Sequence, residues 1–207
     1  MNDLSRQAHW ENVYATRGER EVSWFQERPT LSLELIRAAG ATPASSVIDV
    51  GGGASRLVDA LLTDGFAAVT VLDISATALA ASRRRIGSGA TKVTWIVADI
   101  TTWESPPQIY DLWHDRAVLH FLTNEPDRAA YVMRLMKALR PGGHAIIGTF
   151  ALDGPERCSG LPVVRYDAAS LGKLLGPQFV LVESRTQDHA TPMGGTQRFQ
   201  FSLFRRR

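Results

Sequence analysis

The stretch Val47-Ile48-Asp49-Val50-Gly51-Gly52-Gly53-Ala54-Ser55-Arg56-Leu57 constrains the fold more than any other part of the chain. A short β-branched run meets three glycines and then turns amphipathic, which reads as strand, tight turn and helix. Glycine has no Cβ, so it enters turn conformations closed to other residues and lets a ligand approach the main chain. At the C-terminal end of a parallel strand such a loop cradles a nucleotide-like ligand. A second apolar run, Val69 to Asp73, ends in a carboxylate about twenty residues beyond the glycines, the spacing at which an acid grips ribose hydroxyls.

The same alternation continues along the chain. Short apolar runs bounded by turn signals place strands at 46–50, 69–73, 93–97, 110–114 and 144–150, with helices near 54–64, 76–86 and 125–139. Further helices are expected at 4–16, 28–39 and 167–175. Uninterrupted apolar strands separated by amphipathic helices imply a sheet covered on both faces and paired in parallel. Two last strands, 178–184 and 197–204, are joined by a Gly-containing polar loop and close the sheet with an antiparallel edge. The expected fold is therefore a doubly wound, three-layer αβα domain around a mostly parallel seven-stranded sheet. Gly142-Gly143, after Arg140-Pro141, reads as a helix stop and turn before the fifth strand.

Composition narrows the function classes. A chain of 207 residues fits one domain, and 23 Lys plus Arg nearly balance 21 Asp plus Glu. The triplets Arg83-Arg84-Arg85 and Arg205-Arg206-Arg207 read as solvated faces, since no basic stripe with stacking aromatics accompanies them. No apolar stretch reaches the roughly 18 residues of a membrane span. The N-terminus lacks the basic and apolar regions of a secretory signal, and Cys158 stands alone, so a cytoplasmic setting is expected. Neither a nucleic-acid nor a membrane partner is expected, and no His, Cys or acidic cluster has convincing metal-ligand spacing. Oligomeric state is left open.

Several motifs follow one another in order: Asp49-Val50-Gly51-Gly52-Gly53-Ala54-Ser55, Val71-Leu72-Asp73-Ile74-Ser75, Ala98-Asp99-Ile100, and Asp111-Leu112-Trp113-His114-Asp115-Arg116. With Arg140-Pro141-Gly142-Gly143, this set resembles the class I S-adenosylmethionine-dependent methyltransferases over nearly the whole chain. The resemblance implies that Gly51 and Gly53 approach the methionine portion of the cofactor, and that Asp49 orients the loop or the ammonium group. Asp73 would accept from ribose hydroxyls beside Ile74, an apolar wall for adenine. Asp99 would bind the adenine amino group, with Ile100 against the ring. His114 is placed with them in the cofactor site. Ser55 holds the place of the pattern's third glycine, where the chain is expected to enter the helix already.

The likeness is greatest to the small thiopurine-type methyltransferases and the compact protein-lysine methyltransferases. It includes His9-Trp10-Glu11-Asn12-Val13-Tyr14, Trp24-Phe25 and Trp113-His114-Asp115-Arg116-Ala117. It implies one methyltransferase domain over 1–207, with 1–27 as a lid that brings Trp10, Tyr14 and Trp24 over the cofactor. Residues 151–167 would be a substrate-side insertion. Asp115 and Arg116 would orient the acceptor, although the pattern often has glycine where Ala117 stands. His120 would be a wall residue near the acceptor mouth. Asp115, His120 and His189 are the candidates for proton removal.

Each assignment has a structural rival. Asp73 can cap the helix that follows it, and Asp99 can stabilise a polar turn. Trp10, Tyr14 and Trp24 can be core residues of packed helices, and Cys158 a pocket-lining thiol. Asp49 stands inside an apolar strand, where an unpaired carboxylate is costly, so a satisfied local role is expected. A nicotinamide-binding turn is disfavoured because Arg56 stands where that pattern needs Gly or Ala. No Gly-Lys-Ser/Thr element follows the loop, which removes a P-loop. Pro106-Pro107 is followed by Gln108, which does not match the Asn/Asp-Pro-Pro-aromatic signature of RNA methylation. The expected activity is methyl transfer from S-adenosylmethionine to a small thiol, amine or related nucleophile. A protein-lysine acceptor is the alternative of the same chemistry, and a cofactor-binding interaction protein without transfer activity the alternative of another class.

Overall fold

A computed structural model describes residues 3–207. Helices α1 (Asp3–Thr16) and α2 (Thr30–Ala38) precede the alternating core. The core runs β1 (Ser46–Val50), α3 (Leu57–Thr63), β2 (Ala68–Asp73), α4 (Ala76–Ile86), β3 (Val93–Val97), β4 (Tyr110–Arg116), α5 (Glu125–Ala138) and β5 (Leu139–Phe150). A two-stranded hairpin, β6 (Arg157–Cys158) and β7 (Leu161–Pro162), leads to α6 (Ala168–Leu175), β8 (Phe179–Ala190) and β9 (Thr196–Arg206). The main sheet has seven strands in the order β3-β2-β1-β4-β5-β9-β8. Pairing is parallel from β3 through β5, and β9 lies antiparallel between β5 and β8. The doubly wound αβα architecture expected from the sequence is the one observed.

Strand alternation builds the two cores. Leu112 of β4 joins the apolar cluster that contains Leu35 of α2 and Leu57 and Leu61 of α3. Trp113, the next residue, joins the cluster on the other face with Tyr131 and Leu135 of α5 and Leu171 of α6. Successive side chains point to opposite faces of a strand, and here both faces are covered, which is why the strands read as continuous apolar runs. Local chemistry sets the helix starts. Ser75 Oγ accepts from Ala78 N at 3.1 Å to cap α4, and Asn124 Oδ1 accepts from Asp127 N at 2.9 Å to cap α5. Asp167 and Ser170 form a capping box on α6.

Three boundaries differ from expectation for identifiable reasons. Helix α3 begins at Leu57 because a turn comes first: Ser55 N donates to Gly52 O at 2.7 Å, and Leu57 N to Ser55 Oγ at 3.1 Å. Ser55 therefore precedes the helix instead of entering it. Strand β5 begins at Leu139, before the glycine pair, because its register passes from Tyr110↔Leu139 to Leu112↔His144. Arg140 to Gly143 are thus accommodated as an irregularity within the ladder. The β8–β9 hairpin is longer than its apolar runs. Residues 185–189 are polar but still pair with β9, and they reach the segment before α2. His189 Nε2 lies 2.8 Å from Ser23 O, and Gln197 Nε2 donates to Ser23 Oγ at 3.2 Å.

The arginine triplet 83–85 is only partly a solvated face. Arg83 and Arg84 are exposed, whereas Arg85 turns inward to Asp59 at 2.6 Å and Glu19 at 2.5 Å and donates to Ser55 O at 2.8 Å. It ties α3, α4 and the segment before α2 together. Among the described residues, no helix is long and apolar enough to cross a membrane.

Candidate functional site

A cavity opens at the C-terminal ends of β1, β2, β3 and β4, with about 1020 Å³ of empty space including its mouth. Its wall brings together Asp49, Gly51, Asp73, Ile74, Asp99, Ile100, His114 and Arg116 with Trp10, Tyr14 and Trp24. Gly53, Asp115 and His120, also singled out in the sequence, are not part of that lining.

The glycine loop is shaped by what surrounds it. Gly51 has φ 67, and a Cβ there would lie 2.0 Å from Val118 Cγ2. Its N–H donates to Leu72 O at 2.7 Å, which holds the loop against β2. Gly53 acts from behind the wall. It has φ 37, and a Cβ would lie 2.8 Å from Asp73 Oδ2 and 3.1 Å from Tyr14 Oη. Its missing side chain leaves room for Asp73 and Tyr14 to face the cavity.

Three carboxylates border the cavity, each from the end of a different parallel strand. Asp49 and His114 are register partners on β1 and β4, and Asp49 Oδ1 lies 2.7 Å from His114 Nδ1. His114 Nε2 lies 2.9 Å from Ser32 Oγ on α2, so with Nδ1 protonated the ring donates to Asp49 and accepts from Ser32. This satisfies one oxygen of Asp49. The other, Oδ2, is buried without a hydrogen-bond partner. Asp73 Oδ1 accepts from Ser75 N at 2.8 Å. Burial, reinforced by the negative charges of Asp49 and Glu11, pushes the Asp73 carboxyl up to about 7 in spite of that bond. Asp99 Oδ1 accepts from Thr101 N at 2.8 Å and Thr101 Oγ1 at 2.6 Å, and its Oδ2 lies 3.3 Å from Arg6 Nε. For Asp73 and Asp99, then, the local turn role occupies one oxygen, while the second oxygen of Asp99 is paired with Arg6 and both residues line the cavity.

The opposite wall is aromatic and basic. Trp10 meets Trp24 and Phe121 edge-on, with ring centroids 5.7 and 5.0 Å apart. Arg116 donates to Gln26 Oε1 and to the Trp24 carbonyl, and its guanidinium lies 6.0 Å from the Phe199 ring centre. Burial lowers its pKa to about 10, so it is still protonated at neutral pH. Ala117, at the position where the family pattern often has glycine, is held at φ 76. A left-handed non-glycine residue costs about 1–3 kcal/mol, and such strain gathers at functional sites. Cys158 of the β6–β7 hairpin completes this wall, and burial pushes its thiol up to about 11.

Asp115 and His120 are placed differently from expectation. Alternation along β4 sends His114 and Arg116 to the cavity and Asp115 to the other face. There Asp115 Oδ1 accepts from Val118 N at 2.7 Å, and Oδ2 accepts from Leu119 N at 3.1 Å and Tyr131 Oη at 2.6 Å. Its carboxylate shapes the turn after β4 and does not face an acceptor. Asp115→Ala is accordingly expected to lower stability by about 3 kcal/mol, the scale for stripping a charged partner from buried donors. Urea unfolding with an unchanged midpoint would remove this role. His120 is enclosed, with ring centroids 4.4 Å from Phe121 and 4.9 Å from Phe150, and neither ring nitrogen has a hydrogen-bond partner. Burial pushes it down to about 3, which leaves it a neutral wedge in the core instead of a wall or a base.

Other residues of the wall went unassigned in the sequence. Val118, Phe121 and Leu122 line the cavity directly after the post-strand motif. Arg6 and Phe199 also reach it, yet a lone basic residue on a helix and an aromatic residue on a strand carry no distinguishing pattern.

Comparison with known proteins agrees with this geometry. Residues 47–143 match the family described as a methyltransferase domain. Nodulation protein S of Rhizobium tropici is 27% identical over 123 residues, 59% of this chain and 50% of that protein. Trans-aconitate 2-methyltransferase of Azoarcus sp. (strain BH72) is 30% identical over 127 residues, 60% of this chain and 47% of that protein. The chain thus spans about half the length of these curated relatives in its matches. The crystal structure of N-methyltransferase NodS from Bradyrhizobium japonicum WM9 with S-adenosyl-L-homocysteine superposes with a TM-score of 0.71 at 17% identity, covering 100% of this chain and 99% of that one. These likenesses do not single out the thiopurine or protein-lysine types that the sequence suggested. They show that residues 47–143 resemble a methyltransferase domain and that the chain shares the fold of that N-methyltransferase.

Proposed function

We propose that the protein transfers a methyl group from S-adenosylmethionine to a small thiol, amine or related nucleophile. The observation that carries this reading is the convergence of Asp49, Asp73 and Asp99 on one cavity, with Asp49 Oδ2 buried and unpartnered. An ammonium group suits that oxygen, ribose hydroxyls suit Asp73, and an adenine amino group suits Asp99. Ile74 and Ile100 provide flat apolar walls. The donor set therefore fits an adenosyl amino-acid cofactor, which when bound supplies an electrophilic methyl carbon on a sulfonium. His114 and Ser32 hold Asp49 in position, while Trp10, Trp24, Phe121 and Phe199 exclude water from the acceptor side. Orientation in such a dry cleft removes much of the entropic barrier without a covalent catalytic group.

Within this reading the chain is one domain, with 1–27 as the lid, of which residues 1 and 2 lie outside the described structure, and 151–167 as the acceptor-side insertion. The lid has a visible fastening. Glu11 accepts from Ala76 N at 2.6 Å and Thr77 N at 3.2 Å, at the positive end of α4. Burial raises its pKa, but the hydrogen bonds from α4 outweigh that and leave it below the ordinary value. Glu11→Ala is expected to weaken S-adenosylhomocysteine binding about tenfold and to speed proteolysis within residues 1–27. Calorimetry and limited digestion that both match the wild type would dismiss the lid.

A small acceptor is favoured over protein lysine because the acceptor side is aromatic and carries Arg116 instead of an acidic trough. Among the curated relatives, one is named for trans-aconitate and another as a lysine and N-terminal methyltransferase homolog, so the preference rests on the acceptor wall. A cytoplasmic setting belongs to the same proposal. Labelled S-adenosylmethionine offered with a panel of small thiols, amines and acids, and separately with protein acceptors, tests it. Transfer confined to small molecules is expected. Transfer to protein alone would shift the reading to lysine, and tight binding without any transfer would support an interaction protein.

A further inference from the structure

The half of the cavity away from the three carboxylates has one charged group, and that group lacks a counter-ion. Arg116 is held by a side-chain amide, Gln26, and by a main-chain carbonyl, that of Trp24, both neutral. Among the described residues no carboxylate oxygen lies within the 4.0 Å of an ion pair. Arg206 at the far end of β9 also meets only neutral carbonyls, those of Met136 and Leu139, but it does not line the cavity, and three other part-buried arginines have carboxylate partners. Arg85 meets Asp59 and Glu19, Arg56 meets Glu19 and Glu27, and Arg6 meets Asp99 and Asp127. Burying a cation without an opposite charge is costly unless a bound partner supplies one.

The surrounding groups supply it only at a distance: the charge of Asp49 favours the Arg116 guanidinium but forms no ion pair with it. Asp49 is engaged by His114 at 2.7 Å, and Cys158 stays a neutral thiol because burial raises it. Burial also raises Tyr14, which keeps its phenol neutral. The aromatic faces of Trp10, Trp24, Phe121 and Phe199 bound the remaining space. The same wall has no free base, since Asp115 points to the other face and His120 is sealed in the core. An acceptor that has already lost its proton to solvent suits such a wall.

We infer that the methyl acceptor enters as a small organic anion and that Arg116 is its counter-ion, flanked by the aromatic box. This rests on the cofactor reading above and deepens it by naming the acceptor's charge. A guanidinium presents planar, paired donors that match a carboxylate, so the carboxylate is the appropriate probe chemistry.

The test uses the full chain saturated with S-adenosylhomocysteine and follows tryptophan fluorescence during titration with matched pairs, benzoate against benzamide and cinnamate against cinnamamide. The wild type is expected to bind at least one carboxylate about tenfold more tightly than its amide. Arg116→Met and Arg116→Gln are expected to bring that ratio to about one while S-adenosylhomocysteine still binds, and Arg116→Lys to keep part of the preference. A wild type without anion preference in any pair, or an Arg116→Met protein that retains it, overturns the inference alone. A folded wild type that does not bind S-adenosylhomocysteine overturns the cofactor reading as well.

Discussion

Asp73→Ala is expected to weaken S-adenosylhomocysteine binding about a hundredfold while the protein stays folded. Two hydroxyl groups donating to one carboxylate in a buried site contribute about 1.5–3 kcal/mol each, and part of that is returned by water in the variant. The fold should tolerate the change, because Asp73 is costly to the unliganded protein. Its folded pKa, about 7, lies above the ordinary 3.8. A group raised in this way gives its full stability below the unfolded pKa and loses it as pH rises through the folded one. Asp73→Asn, which cannot ionise, should therefore gain stability over the wild type between about pH 4 and 7, with the difference constant above. Ligand binding carries the opposite dependence. Donors from ribose favour the carboxylate, so wild-type affinity should fall as pH drops below 7, and the Asn variant should be flat. Unchanged calorimetric affinity in a folded Asp73→Ala protein would remove Asp73 from the site.

Gly51→Ala is expected to cost about 3 kcal/mol of stability and to abolish measurable binding of the same ligand. Two separate causes add. A left-handed alanine costs about 1–2 kcal/mol, and the new methyl group would lie 2.0 Å from Val118 Cγ2, which forces the turn after β4 to move. The causes can be separated with Val118→Ala. The double variant should recover the steric share of the loss and keep the conformational share. Full recovery in denaturant unfolding would show that φ 67 carries no cost, and no recovery would show that the clash is relieved elsewhere.

The architecture was legible because its signal is repeated. Each buried strand announces itself as an apolar run, and the ordered acids at the ends of β1, β2 and β3 mark one rim of the cavity in the sequence alone. What stayed hidden depends on contacts between distant segments. Asp115 sits one residue beyond His114 in sequence, yet the pleat of β4 sends it to α5, where it meets Tyr131 at 2.6 Å. No local pattern shows which face of a strand, buried on both sides, looks toward a ligand. His120 was similarly misplaced, because the turn that carries it folds the ring inward against Phe150. Ser32 was missed for the opposite reason: a serine in the first turn of a helix looks like any surface residue, and only the packing of α2 on β4 brings it to His114. Residues 185–190 lack an apolar run, since at the sheet edge they are held by main-chain pairing and polar contacts such as Asp188 with Arg198.

The structure of the full chain crystallised with S-adenosylhomocysteine is the most direct test of the adenosyl site. Both ribose hydroxyls are expected within about 2.6–3.2 Å of the Asp73 carboxylate, with the ammonium at Asp49 Oδ2 and the adenine beside Ile74 and Asp99. A ligand seated away from the ends of β1 and β2, or a folded chain that never takes it up, would contradict the proposal.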